Sequence, residues 1–79
     1  MHSLIQAHLY NIAIKEEIAI ALAIPVWLRL THAKPWQESK SRLGEIVQRA
    51  EQWHKRHVAW QSDELEQLKM TIDQAKRVF

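Results

Sequence analysis

The side chains closest to a metal-binding pattern lie in the second half of the chain. Glu51 and His54 form a Glu-x-x-His pair, and His57 follows three residues later. On a helix these residues share one side, an arrangement that di-metal carboxylate bundles use when facing helices supply further carboxylates. The chain has no second Glu-x-x-His pair and no cysteine. We therefore predict no metal site and no cofactor, with His57 packed in a helix seam.

A row of cations is the second candidate, because arginines at helical spacing can contact phosphates. Arg42, Arg49 and Arg56 recur every seven residues, along one flank of a helix. The nucleic-acid alternative uses this row and two cations upstream of it, namely Arg29, Lys34, Arg42, Arg49 and Arg56. Glutamates stand four residues before Arg42, Arg49 and Lys55. Such pairs stabilise a helix without any partner, so a solvated flank is the competing interpretation.

Residues 17–25 resemble the first helix and turn of a helix-turn-helix motif, with apolar residues at the packing positions. A recognition helix would then begin near Pro25 and carry Arg29 and His32. The segment departs from the motif at Ala23, where the turn usually has glycine, and at Arg29, where an apolar residue is usual. The element at 17–32 is thus a second route to the alternative function, a small nucleic-acid-binding regulator.

Few residues in this sequence could catalyse a reaction. The 79 residues include no cysteine and a single glycine, which excludes thiol chemistry and a glycine-rich phosphate loop. No serine or threonine stands in the histidine-and-carboxylate setting that activates a nucleophile. We therefore predict a protein that is not an enzyme. A hydrophobic content of 47% predicts a folded chain, and the length allows one domain.

Hydrophobic periodicity predicts two clear helices. Helix 2, at about 35–61, has two rows of core positions: Trp36, Leu43, Ala50 and His57, and Ser39, Ile46, Trp53 and Trp60. Helix 3, at about 63–79, has Asp63 as the expected N-cap, with Ser62 as the alternative cap. Its seam consists of Leu65, Leu68, Ile72, Ala75 and Phe79.

Helix 1, at about 3–32, is predicted to be kinked near Pro25 or divided there into two helices with a break near Ile24, because proline removes a backbone donor. Its expected packing face consists of Leu4, Ile5, Leu9, Ile12 and Ala19. Large apolar residues alternate over 18–30, so a strand is the alternative there. The eleven apolar residues of 18–28 are too few for a bilayer span, and no cation precedes Lys15 as a secretory signal would need. We predict a cytoplasmic protein with no membrane partner.

These elements predict an all-α fold, a three-helix antiparallel bundle that dimerises. Helix 1 is apolar on more than one side, and one chain offers too little material to cover it. The predicted interface residues are Ile18, Leu22, Val26, Trp27, Trp36, Trp53 and Trp60. We therefore expect a homodimeric interaction protein that binds or inhibits a larger protein partner, whose identity the sequence does not specify.

Overall fold

Four α-helices and one 3-10 turn make up the protein in a computed structural model that describes residues 2–78, with the backbone alone described for His2 and Ser3. The elements are α1 (His2–Ala23), α2 (Val26–Leu30), α3 (Lys34–His57), the 3-10 turn (Val58–Trp60) and α4 (Asp63–Lys76). Residues 2–78 contain no strand, which confirms the all-α prediction and makes the strand alternative for 18–30 wrong. Phe79, placed in the seam of helix 3, lies outside the described residues.

The chain leaves the helical path at Ile24 and Pro25, so the segment predicted over 3–32 forms two helices. Proline has no backbone N–H and clashes with the preceding turn, and here Pro25 has the extended angles φ −55° and ψ 145°. The helix predicted over 35–61 likewise ends at His57. There the His57 Nδ1 donates to the Trp53 carbonyl at 2.8 Å, and the chain continues as the 3-10 turn.

A tight reversal joins α2 to α3. The amide of Ala33 donates to the Leu28 carbonyl and the amide of His32 donates to the Arg29 carbonyl, which together form a Schellman motif. His32 occupies the left-handed position of this motif, at φ 54°, where glycine is usual. The Thr31 hydroxyl donates to the Trp27 carbonyl at 2.9 Å. These bonds fix the orientation of α2 against the start of α3.

The three long helices α1, α3 and α4 pack against one another along a molecule of 42 × 17 × 17 Å. Their shared core consists of the following residues: Ala7, Ile14, Ile18, Ala21, Trp36, Leu43, Val47, Ala50, Trp53, Leu65, Leu68, Ile72 and Ala75. Most of the core positions predicted for α3 and α4 are buried. The N-cap of α4 is Ser62, whose hydroxyl accepts from the Leu65 amide at 3.3 Å, so the expectation of Asp63 as the cap is wrong.

One buried polar pair joins α1 to α4. The Thr71 hydroxyl donates to Asn11 Oδ1, and the Asn11 amide nitrogen lies 3.5 Å from Gln67 Oε1. Both Asn11 and Thr71 are buried, and a buried polar group is costly unless it is hydrogen-bonded. This pairing therefore fixes which side of α1 faces the core.

Candidate interaction surfaces

The side of α1 that faces away from the core carries a second apolar row. Ile5, Leu9, Ile12 and Ile20 are between 39 and 58% exposed, and Glu16 lies in the gap between Ile12 and Ile20. Their spacing is 4-3-4-4, which keeps all five residues within an arc of about 80° on the helix. We call these five residues the outer row.

The outer row lies opposite the residues through which α1 enters the core. That buried row consists of Ala7, Asn11, Ile14, Ile18 and Ala21, spaced 4-3-4-3. The packing face expected from the sequence is therefore wrong, because Ile5, Leu9, Ile12 and Ala19 are exposed and Leu4 is only half-buried. Ala7 and Ala21 at the two ends of the buried row let α1 approach its neighbours closely, while Ile14 and Ile18 fill the core between them.

The seven residues predicted to form an interface divide into two groups. Ile18, Trp36 and Trp53 are buried within the chain itself and are not available to a partner. The exposed group consists of Leu22, Val26, Trp27 and Trp60. Trp60 lies outside the core because α3 ends at His57. Trp60 belongs to the 3-10 turn that follows, so it does not lie on the buried side of the helix.

Aromatic rings form a continuous stack at the end of the molecule where α3 terminates. Trp53 lies 5.5 Å from the Tyr10 ring and 4.1 Å from the His57 ring, and Trp60 meets His57 edge-on at 4.8 Å. Beside the stack is an open groove of about 430 Å³ between α1 and α3. Leu9 of the outer row lines this groove, so the groove and the outer row form one continuous apolar surface.

A second exposed apolar surface lies at the other end of α3. Val26, Trp27 and Leu30 are 58, 65 and 75% exposed on the short helix α2, and we call these three residues the α2 tip. Helical geometry puts them on one side of α2, within an arc of about 100°. On the opposite side, the Arg29 guanidinium lies 6.0 Å from the centre of the Trp36 ring.

The cations of the nucleic-acid alternative do not form one patch. Arg42, Arg49 and Arg56 are exposed along α3, and Lys34 is exposed at its first residue. Arg29 is instead half-buried on α2 and stacks on Trp36. The recognition helix expected near Pro25 is also wrong, because α2 has five residues and ends before His32.

An ion pair and a histidine contact in the described part of the chain link different helices. Within residues 2–78, Lys76 forms an ion pair with Glu51, and His8 Nδ1 lies at hydrogen-bond distance, 3.2 Å, from Glu64 Oε2. The hydrogen bond to Glu51 raises the pKa of Lys76 above its ordinary value. The pairs predicted between residues four apart on α3 do not form, and Glu51 bonds to Lys76 rather than to Lys55. An exposed ion pair contributes little to the free energy of folding, so Glu51 can pair with Lys76 of another helix in place of Lys55.

Two of the three side chains of the metal pattern, Glu51 and His57, have separate partners. Glu51 binds the ammonium group of Lys76, while His57 donates to the Trp53 carbonyl and stacks on the Trp53 ring. Within residues 2–78 no group of three histidine, aspartate or glutamate side chains is arranged to hold a metal ion. The aromatic stack, rather than a ligand cluster, is therefore the setting of His57.

Comparison with known proteins returned no significant match to a family model, to a curated protein or to a solved structure. Across residues 2–78, none of the helices combines the length and the apolar character needed to cross a bilayer. The candidate surfaces are thus the outer row with its adjoining groove and, at the opposite end of α3, the α2 tip.

Proposed function

We propose that this protein is a non-catalytic helical interaction protein that forms a homodimer through the outer row of α1. The observation that carries the proposal is the second apolar row on a helix whose opposite side is already buried in the core. Exposed apolar side chains in a row are typical of surfaces that associate, and Glu16 is the one charged member of this row. From Ile5 to Ile12 the spacing is also the 4-3 pattern by which two helices pack along a coiled-coil seam.

The order of residues along the outer row fits a second copy of the same chain. Ile12 is near the middle, with Ile5 seven residues before it and Ile20 eight residues after it. In an antiparallel pair with a two-fold axis near Ile12, the partner's Ile20 lies level with Ile5, so apolar residues meet at both ends, while Glu16 lies level with the partner's Leu9. A two-fold interface uses the same surface on both subunits, so a nearly symmetric row is self-complementary.

Size and charge also favour a homodimer. The outer row runs about 22 Å along α1, from Ile5 to Ile20, which is long enough for a helix-to-helix contact between two copies. The formal net charge of the chain is +2, so long-range repulsion between two copies is small. The groove beside Leu9 adds apolar area to the same surface.

Within each subunit we infer that long helices that follow one another in the sequence run antiparallel, α1 against α3 and α3 against α4, so that α1 and α4 run parallel. Tyr10 lies in the first half of α1 and contacts Trp53, close to the end of α3. Val78, after the end of α4, lines the same small cavity as Trp36 at the start of α3. This order leaves the whole length of α1 open on its outer side.

Cysteine cross-linking tests both the surface and the orientation, because the natural chain has no cysteine. In the antiparallel dimer, Ile12→Cys cross-links to itself under mild oxidation. Ile5→Cys and Ile20→Cys each stay monomeric alone, and a mixture of the two forms a disulfide-linked dimer. Dimers are read from a non-reducing gel, with Met70→Cys, which puts a thiol at a more exposed position on α4, as the control that stays monomeric.

Two results would contradict this proposal. Self-cross-linking of Ile5→Cys as well as Ile12→Cys would indicate a parallel pair. If none of the three outer-row variants cross-links, alone or mixed, the chain does not form a homodimer through the outer row. The outer row would then be assigned to a larger protein partner, which the isolated chain lacks.

A further inference from the structure

The α2 tip is an apolar surface that the fold holds away from the core. Val26, Trp27 and Leu30 point outward, while the Schellman motif and the Thr31 hydroxyl fix the backbone that carries them. On the inner side, Arg29 stacks on Trp36 and ties α2 to α3. The tip therefore presents three large apolar side chains on a fixed support.

The charged residues nearest to the α2 tip in the sequence are cations. No aspartate or glutamate occurs from residue 18 to residue 37, a stretch that holds Arg29 and Lys34. Lys40 joins Arg29 in lining a cavity of about 290 Å³ beside Leu30. The apolar tip is thus surrounded by cations, which favours a partner with an apolar interior and anionic groups at its surface.

We propose that the α2 tip docks on an anionic lipid bilayer. Tryptophan prefers the boundary between the headgroups and the acyl chains, and an apolar helix face enters a bilayer by about 5–10 Å. Nearby Lys and Arg side chains are attracted to anionic headgroups. This mode of binding needs no spanning helix, so it is compatible with the finding that no helix of residues 2–78 is long and apolar enough to cross a bilayer.

A bilayer fits the α2 tip better than a protein or a nucleic acid does. The helix has five residues and is about 7.5 Å long. Its three exposed side chains are too few to bury the roughly 800 Å² that a standard protein interface takes from each partner. Nucleic-acid binding depends on cations and polar side chains, and three exposed apolar residues would add little to phosphate contacts. Insertion into an anionic bilayer uses both the exposed apolar side chains of the tip and the cations near it.

Vesicle co-sedimentation tests the proposal with the full chain. Wild-type protein is expected to bind phosphatidylcholine vesicles that contain phosphatidylserine, and to bind pure phosphatidylcholine vesicles much more weakly. The double variant Trp27→Ser/Leu30→Ser should raise the lipid concentration for half-binding by about tenfold or more, because the inserted apolar surface is lost. The variant Lys34→Gln removes an exposed cation and should weaken binding to the anionic vesicles and reduce its dependence on salt.

A matched control removes the same kinds of side chain from the opposite end of α3. Val58→Ser/Trp60→Ser deletes one exposed aliphatic residue and one exposed tryptophan, and it should bind vesicles as the wild type does. Circular dichroism checks that every variant keeps its helix content, which the exposure of the substituted residues leads us to expect. The α2 tip and the outer row are separate surfaces, so the result does not depend on dimerisation.

Three results would overturn the lipid assignment. The first is that the protein does not bind anionic vesicles, whether or not it binds a DNA duplex. The second is unchanged binding by Trp27→Ser/Leu30→Ser. The third is loss of vesicle binding in Ile12→Glu while the tip variant still binds, because lipid would then contact the outer row.

Discussion

Replacement of Trp53 by alanine is expected to lower the free energy of unfolding by about 3–5 kcal/mol. Trp53 is 5% exposed, and its ring contacts both Tyr10 of α1 and His57 of its own helix. Truncation would leave a cavity between α1 and α3 and would remove the surface on which His57 stacks. Urea denaturation at a fixed protein concentration measures the change.

Trp27→Ala is the matched control for this measurement, because it removes the same side chain from an exposed site. Trp27 is 65% exposed on α2, so its truncation should change the free energy of unfolding by no more than about 0.5 kcal/mol. Equal stability of the two variants would mean that Trp53 lies outside the core. That result would contradict the packing of α3 against α1.

Leu68→Ala is expected to destabilise the protein by about 2–5 kcal/mol, since Leu68 is fully buried where α4 meets the other two long helices. Met70 is a control on the same helix: it has a similar volume but is 69% exposed. Met70→Ala should therefore leave the unfolding midpoint nearly unchanged. A larger effect at Met70 than at Leu68 would mean that the buried side of α4 has been assigned to the wrong residues.

The parts of the fold that sequence patterns predicted well are the helices with one apolar side. On α3, the repeat that links Trp36, Leu43 and Ala50 predicts the residues that are buried. On α4, Leu65 and Leu68 are buried as their spacing indicates. In both helices charged residues occupy the remaining positions, so the apolar side can face only the core.

Helix α1 shows why the rest was harder to predict. Apolar residues surround this helix, and periodicity alone cannot say which side meets α3 and α4. The prediction placed the packing face on the side that carries large residues such as Leu9 and Ile12, and that side is exposed. The buried side instead has small residues at its two ends and the hydrogen bond between Asn11 and Thr71. A polar contact between residues sixty positions apart leaves no local signal.

The exposed surfaces were predictable in part. Trp27 and Val26 were recognised as interface candidates because they are large and apolar, whereas Leu30 was missed although it is the most exposed of the three. Trp36 and Trp53 were assigned to the same class but fill the core. Composition does not separate core tryptophans from surface ones, since the division depends on where α2 turns and where α3 ends.

The most direct test of the proposed function is the mass of the protein in solution, measured by light scattering during size-exclusion chromatography. At about 100 μM, where a dimer with a Kd of about 1 μM is nearly complete, the wild type should have twice the chain mass of 9.4 kDa. Ile12→Glu puts a charge at the centre of the outer row and should have the mass of one chain. Met70→Glu should remain dimeric. A wild type that has the mass of one chain at this concentration would contradict the account.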